Sequence, residues 1–165
     1  MTVSAGADPA ALIAELRLRA ESVALAESLT GGALCARLVD VAGASDVVRG
    51  AVVAYAADLK HTLLGVDRAL LADRGTVDPD VAEAMATGVR ERTGATYGVA
   101  TTGVAGPGPS EGKPAGTVYV AVAGPRGTRS RGLRLDGDRG AVRAGSVQGA
   151  LDLLADALEA RHELA

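Results

Sequence analysis

The chain lacks the residue types on which several classes of protein function depend. Its 165 residues contain no Phe and no Trp. Among Phe, Trp and Tyr it has only three tyrosines, Tyr55, Tyr97 and Tyr119. Proteins that bind single-stranded nucleic acid stack bases on aromatic side chains. The formal net charge of −3 also gives no electrostatic attraction to a polyanion. We therefore expect no nucleic-acid partner and a core of Val, Leu and Ala.

Cysteine and histidine are equally scarce. Cys35 is the single cysteine, so an internal disulfide is excluded, and its apolar helical surroundings predict a buried, inert thiol. The two histidines, His61 and His162, have no companion ligands at metal-binding spacing. We expect no metal, no cofactor and no Ser-His-Asp triad.

Long apolar runs are absent as well. No stretch is long enough to span a bilayer, and the N-terminus lacks the basic and then apolar layout of a signal peptide. The sequence therefore predicts a cytoplasmic protein without a membrane partner. A length of 165 residues favours a single domain over residues 1–165.

Hydrophobic periodicity and capping residues predict helices that alternate with strands. Asp-Pro pairs at residues 8–9 and 78–79 are typical helix starts, and residues 102–116 contain five glycines and three prolines, which indicates a loop. We expect an α/β fold, a single three-layer α/β/α domain with a mixed sheet of about five strands. The predicted helices cover residues 9–19, 31–41, 56–64, 67–73, 79–93 and 138 onwards, and the predicted strands cover 22–26, 50–55, 97–101, 117–123 and 128–135.

In such folds, ligands bind at the carboxyl ends of the strands. Three segments begin there: residues 27–32, 55–60 and 101–116. The first contains Ser28 in "AESLTGG", where a strand passes into a helix. A helix N-terminus with glycines can hold a phosphate, polarise a carbonyl group or simply turn the chain.

Two catalytic motifs are nearly matched in "GPGPSEGKP". A P-loop needs four residues between its first glycine and the Gly-Lys pair, and then Ser or Thr, whereas Pro114 follows Lys113 here. The Ser-x-x-Lys spacing of Ser110 and Lys113 lacks the helix that would align both side chains, because Gly112 and Pro114 interrupt it. Neither motif is supported.

Lysine is rare in this chain, with Lys60 and Lys113 against fifteen arginines. A lysine can give up its proton and an arginine cannot, so a Ser-Lys pair is the available form of nucleophilic catalysis. Lys60 follows Tyr55 by five residues at a strand end, where both can face Ser28. Such a lysine needs a lowered pKa, and a phenol between it and the serine can relay the proton. The alternative is a surface lysine beside a core tyrosine.

Five stretches of the sequence resemble one family in the same order. They are "AESLTGG", "VAGASDVVRGAVVAYAADLKHTLLGV", "GTVDPDVAEAMA", "ATTGVAGPGPSEGKPAGTVYVAVAG" and "GDRGAVR". Together they are similar to the CinA C-terminal-domain family over nearly the whole chain. The resemblance implies an amidohydrolase that converts nicotinamide mononucleotide to nicotinic acid mononucleotide and ammonia. It also implies that Ser28, Tyr55 and Lys60 are the catalytic residues.

On this hypothesis Ser28 attacks the carboxamide carbon, and Lys60 takes the proton directly or through Tyr55. Backbone N–H groups around residues 30–32 are expected to stabilise the oxyanion. The turn at residues 102–106 is expected to form the other wall of the pocket. The residues predicted to bind the substrate are Thr30, Gly31, Gly32, Thr102, Gly103, Gly106, Lys113, Arg139 and Arg143.

The arginines of "GDRGAVR" are the candidates for binding the substrate's phosphate. Arg139 and Arg143 are four residues apart at a helix start, on one face and next to free N–H groups. The alternative is that they pair with Asp136 or Asp138.

The sequence departs from the family pattern at two places. Ala56-Ala57 stands where the family has Ser-Asn after the tyrosine, and Leu29 stands where it often has Cys. Lower activity, a changed substrate or a catalytically silent nucleotide-binding or competence-related protein is therefore an alternative, and a general serine amidase is another. Longer CinA proteins carry an N-terminal nucleotide-processing domain, and this chain resembles the stand-alone form. Related domains suggest a homo-oligomer.

Overall fold

The computed structural model describes residues 6–160 as one mixed sheet with helices on both faces. The five strands lie in the order β2-β1-β3-β4-β5, in which β1 pairs in parallel with β2 and β3, whereas β4 pairs antiparallel with β3 and β5. This confirms the predicted α/β class and the five-stranded mixed sheet. The elements are α1 (Pro9–Leu18), β1 (Val23–Glu27), α2 (Ala33–Val39), β2 (Val48–Val53), α3 (Ala57–Leu64), α4 (Arg68–Arg74), α5 (Pro79–Thr93), β3 (Tyr97–Gly103), β4 (Thr117–Gly124), β5 (Gly127–Arg134) and α6 (Arg139–Glu159).

The predicted elements are all present, with differences at their ends. α2 is shorter than predicted because Gly31 and Gly32 adopt positive φ, a conformation that cannot continue a right-handed helix. β3 extends two residues further than predicted, to Gly103, since it pairs with β4 as well as β1. A one-turn 3-10 helix at Ala44–Asp46 was not predicted.

Side chains alternate between the two faces of the central strand β1 and form two cores. Val23 and Leu25 face the core shared with α1, α2 and α6, while Ala24 and Ala26 face the core of α3 and α5. Small alanines on the second face allow helices to lie close to the sheet. The chain thus has a thick apolar layer on one face and a thin one on the other.

Glycines allow a close approach between α3, α5 and the sheet. A Cβ added at Gly88 in α5 would lie 1.9 Å from the carbonyl oxygen of Leu64, the last residue of α3. A Cβ added at Gly98 in β3 would lie 2.0 Å from the Ala86 oxygen of α5. Atoms cannot approach this closely, so glycine is required at both positions. This packing fixes α3, the helix that contains Lys60, against the body of the domain.

Aspartates begin four of the helices, and the Asp-Pro pairs predicted two of these starts. The side chains of Asp8, Asp67, Asp78 and Asp138 accept hydrogen bonds from the first turns of α1, α4, α5 and α6. Within residues 6–160, the helices are too short or too polar to cross a bilayer.

Candidate active site

Three strand ends meet at one edge of the sheet and bring the predicted segments together. Glu27, the last residue of β1, pairs in register with Val53 of β2 and with Thr101 of β3. Ser28 and Ala54 therefore leave their strands side by side, and the β3 segment continues along them. The candidate site forms where the chain departs from these three strands.

Ser28 and Lys60 are in direct contact at this edge. The Nζ atom of Lys60 donates a hydrogen bond to Oγ of Ser28 at 3.0 Å and to the carbonyl oxygen of Ala54 at 2.8 Å. Lys60 is only 1% exposed, and α3 brings it under the turn that contains Ser28. The alternative of a surface lysine is therefore wrong. The contact is the arrangement that a serine nucleophile and a lysine base require.

Burial changes the proton affinity of Lys60. Desolvation disfavours the charged ammonium and lowers the pKa of Lys60 from 10.5 to about 8, although the negative charge of Glu111 acts in the opposite direction. At about pH 7.5, a pKa near 8 leaves about a quarter of the lysine neutral, against about 0.1% for an ordinary lysine. A substantial fraction of Lys60 can therefore accept a proton at this pH.

Tyr55 lies beside this pair, but its phenol hydroxyl binds Arg139 and not Ser28 or Lys60. The side chain is 60% exposed, and its hydroxyl accepts a hydrogen bond of 3.0 Å from Nη2 of Arg139. Its contact with Lys60 is made by the backbone carbonyl oxygen, 3.4 Å from Nζ. The direct bond between Lys60 and Ser28 favours direct proton transfer over the phenol relay.

An open cleft of about 380 Å3 lies above Ser28. Tyr55 and Arg139 line it together with residues 103–110 and the pair Thr76 and Val77. Gly103 and Gly106 are thus at the cleft, as predicted. A Cβ at Gly103 would lie 2.7 Å from the carbonyl oxygen of Thr117, so this wall requires a glycine.

Glu27 is a structural residue of the site that the sequence analysis missed. This fully buried carboxylate accepts hydrogen bonds from the N–H groups of Gly32 at 3.2 Å, Leu34 at 2.9 Å and Cys35 at 3.0 Å. It therefore caps α2 from the preceding strand. A glutamate that ends a fully apolar strand one residue before the loop was the available signal.

The cap changes the interpretation of the helix start. The N–H of Gly32 donates to Glu27 and that of Gly31 donates to the carbonyl oxygen of Ser28. We expected free N–H groups at this position, whereas both are already used within the protein. A negative charge also occupies the end of α2 that was expected to attract an anion. Of residues 30–32, only Thr30 has an N–H with no partner among residues 6–160.

The two arginines of α6 have different environments. Arg143 is half-buried and donates to the carbonyl oxygens of Leu29 at 3.0 Å and Thr30 at 2.9 Å, so it fastens the turn after Ser28. Arg139 is exposed at the cleft and donates to the Gly106 oxygen at 2.7 Å and to Tyr55. Neither arginine forms an ion pair with Asp136 or Asp138 within the described residues.

The two threonine hydroxyls predicted to contact the substrate are engaged in internal hydrogen bonds. The hydroxyl of Thr30 pairs with that of Thr101 at 2.8 Å in the buried interior. Thr102 donates to the carbonyl oxygen of Thr76 at 2.6 Å. Lys113 is half-buried, pairs with Ser110 through an isolated antiparallel β-bridge, and is not among the residues that line the cleft.

The histidines and the cysteine lie apart from this chemistry. Nδ1 of His61 is 2.8 Å from the carbonyl oxygen of Val66 at the end of α3, and His162 lies outside the described residues. Cys35 is half-buried, and burial raises the pKa of its thiol, with Glu27 adding to the effect. Within residues 6–160, His, Cys, Asp and Glu form no cluster able to hold a metal ion.

Comparison with known proteins identifies the family of this chain. The profile of the CinA C-terminal domain matches residues 8–158. The chain belongs to the CinA C-terminal domain family. A CinA-like protein of Frankia casuarinae is 55% identical over 136 residues, which cover 82% of this chain and 31% of that protein. A CinA-like protein of Anaeromyxobacter dehalogenans is 49% identical over 151 residues, or 91% of this chain and 37% of that protein. The chain thus spans about a third of these CinA relatives.

Solved structures share the fold of this CinA domain over most of its length. The competence/damage inducible protein CihA of Agrobacterium tumefaciens is 36% identical with a TM-score of 0.86, covering 96% of this chain and 99% of that one. A CinA superfamily protein of Escherichia coli is 31% identical with a TM-score of 0.88, covering 90% of this chain and 87% of that one.

Proposed function

We propose that this domain hydrolyses the carboxamide of nicotinamide mononucleotide to nicotinic acid mononucleotide and ammonia. The observation that carries the proposal is the 3.0 Å contact between Ser28 Oγ and the buried Nζ of Lys60 at the floor of an open cleft. Membership of the CinA C-terminal domain family and the sequence resemblance supply the substrate class. The contact alone supports amide or ester hydrolysis by a serine nucleophile.

Acylation begins with neutral Lys60. Nζ accepts the proton of Ser28 while Oγ attacks the carboxamide carbon, and a tetrahedral oxyanion forms. Lys60 then donates that proton to the amide nitrogen, the C–N bond breaks and ammonia leaves. The products of this half-reaction are an ester of Ser28 and, again, a neutral lysine.

Water completes the cycle by the reverse sequence of proton transfers. Lys60 accepts a proton from water, the hydroxide attacks the ester, and the C–O bond to Ser28 breaks as the serine recovers the proton. One amide and one water thus give one acid and one ammonia. In both halves the N–H groups of Gly31 and Gly32 are used within the protein, and Thr30 is fully buried outside the cleft lining. We propose the N–H of Leu29, which follows Ser28 and lines the cleft, as the oxyanion donor.

Arg139 is our proposed contact for the substrate's phosphate, and Arg143 is not. The Arg139 guanidinium lines the cleft and is exposed, and its present partners are a neutral carbonyl and a neutral phenol. A phosphate is a stronger acceptor than either of them. Arg143 is committed to two carbonyl oxygens and supports the nucleophile turn.

Ammonia release from nicotinamide mononucleotide tests the proposal. Wild type is expected to form ammonia and nicotinic acid mononucleotide, and Ser28→Ala is expected to reduce turnover about a thousandfold or more. Ser45→Ala is the matched control, because Ser45 is exposed outside the cleft. Near wild-type turnover in Ser28→Ala would exclude the serine mechanism. Hydrolysis of amides that lack the ribose phosphate would instead indicate a general amidase.

A silent nucleotide-binding protein remains the second candidate because of Ala56-Ala57. Ala56 is the residue that precedes α3, and it makes no side-chain cap, while Ala57 is exposed in the first turn. The departure removes polar groups near Tyr55 but leaves the contact between Ser28 and Lys60 in place. Binding of the mononucleotide without ammonia release would support this candidate.

A further inference from the structure

Glu111 connects two separate parts of the cleft. It lies in the glycine–proline loop, residues 104–116, which joins β3 to β4 and forms one wall. Its carboxylate accepts hydrogen bonds from the Thr76 N–H at 2.9 and 3.2 Å, the Thr76 hydroxyl at 2.7 Å and the Val77 N–H at 3.2 Å. Thr76 and Val77 also line the cleft, so one side chain joins two segments of the lining.

The surrounding backbone is shaped to accept this carboxylate. Gly75 has a φ of +74°, and a Cβ at this position would lie 2.6 Å from Oε2 of Glu111. Glu111 itself has a φ of +52°, which is unfavourable for a residue other than glycine and persists only where the surroundings hold it. The Thr102 hydroxyl binds the carbonyl oxygen of Thr76 at 2.6 Å, so this residue is held from β3 as well.

Glu111 also acts on the base through space. Its negative charge stabilises the ammonium form of Lys60 and opposes the lowering of the pKa that burial causes. Burial acts to raise the pKa of Glu111, but the hydrogen bonds from Thr76 and Val77 outweigh it and lower this pKa, with a smaller contribution from the charge of Lys113 in the same loop. Other charged or titratable groups on the surrounding elements are Arg139 at the cleft, Asp78 at the start of α5 with Arg74, and Asp58 and His61 on α3.

We propose that Glu111 is a positioning residue of the active site, which joins the glycine–proline loop to Thr76 and Val77 and so holds two parts of the cleft lining together. The proposal rests on the proposed function insofar as Lys60 is the base. Glu111 touches neither Ser28 nor Lys60 by a hydrogen bond. Its effect on the reaction is exerted through Thr76 and Val77, and its charge is the second property that the Glu111→Gln variant tests.

Glu111→Gln separates this role from a merely structural one. The amide keeps the size of the side chain but removes the charge, and its NH2 group cannot accept an N–H. Glu111→Asp keeps the charge on a shorter side chain and is the conservative comparison. Glu159→Gln is the matched control, because it removes an exposed charge at the far end of the 21-residue helix α6, about 30 Å from Arg139.

The scarcity of lysine allows the pKa of Lys60 to be measured directly. With 13C-lysine, the chain shows two Cε signals, from Lys60 and Lys113, and the Lys113→Arg variant assigns them. We expect the signal of Lys60 to titrate at lower pH in Glu111→Gln than in wild type, to return toward the wild-type value in Glu111→Asp, and to be unchanged in Glu159→Gln.

Kinetics supply the second measurement. In Glu111→Gln we expect KM for nicotinamide mononucleotide to rise about tenfold, because charge-assisted hydrogen bonds that hold one wall are lost. An unchanged KM and an unchanged titration of Lys60 in a folded Glu111→Gln protein would overturn the proposal. If wild type releases no ammonia, the proposed function fails on its own, and the lysine titration still decides whether Glu111 acts on Lys60.

Discussion

The lowered pKa of Lys60 leads to a specific dependence of activity on pH. In the proposed mechanism neutral Lys60 is the reactive form, and burial lowers the pKa of this lysine to about 8. The neutral fraction is then about 10% at pH 7, about 50% at pH 8 and about 97% at pH 9.5. We expect kcat/KM for ammonia release to rise about tenfold between about pH 7 and pH 9.5 and then to level off.

The riboside, which lacks the phosphate, and the variant Lys60→Arg provide the controls for this pH profile. The phosphate titrates near pH 6, below the measured range, and the riboside, which lacks it, should show the same rise. Lys60→Arg keeps the positive charge and cannot be deprotonated, so it should be inactive across the profile. A wild-type rate that is flat from about pH 7 to 9.5, or that still rises tenfold per pH unit at its upper end, would refute the role of buried Lys60 as the base.

Three further predictions concern binding and stability. Arg139→Ala should raise KM for nicotinamide mononucleotide about tenfold to a hundredfold and leave KM for the riboside little changed. Arg143→Ala should affect both substrates alike. Equal effects of Arg139→Ala on the two substrates would refute the proposed contact between Arg139 and the phosphate. Between about pH 8 and 10.5 the unfolded chain binds more protons at Lys60 than the folded chain does. The free energy of unfolding of wild type should therefore rise with pH by up to about 3 kcal/mol across this range. Denaturation experiments on Lys60→Met at about pH 8 and 10.5 should show no such rise. Ala56→Ser places a hydroxyl at an uncapped helix start with extended backbone, and should increase the free energy of unfolding by about 0.5 to 1 kcal/mol; no increase in a melting experiment would show that the serine makes no cap.

Much of the fold could be predicted because its signals are local. The Asp-Pro pairs at residues 8–9 and 78–79, the apolar strand before Ser28 and the turn residues 124–127 each determine their element within a few positions. Strand ends in an α/β fold also define where a site forms, so topology and the rarity of lysine made Ser28 and Lys60 a candidate pair, and the family resemblance favoured this pair over a surface lysine.

The partners of individual side chains could not be predicted in this way. Glu27 and Arg143 both satisfy groups of the turn after Ser28, and Arg143 comes from 113 or 114 residues away along the chain. Spacing indicated that Arg139 and Arg143 share a helix face, but one turn of α6 separates an exposed guanidinium from a half-buried one. How deeply a helical side chain is buried depends on distant segments that pack against the helix, and a local sequence pattern carries no information about them.

The proton affinity of Lys60 also originates in packing far from the cleft. Its helix α3 ends at Leu64, whose carbonyl oxygen occupies the space that a Cβ at Gly88 would need. This close contact holds α3 against α5, and the same helix then carries Nζ of Lys60 under the turn of Ser28 with 1% of the residue exposed. Exclusion of water is what lowers the pKa of this lysine, since desolvation is the largest cause and the nearby Glu111 charge opposes it. Gly88, which has no side chain and lies in the middle of α5, is therefore one physical origin of the lowered pKa of Lys60.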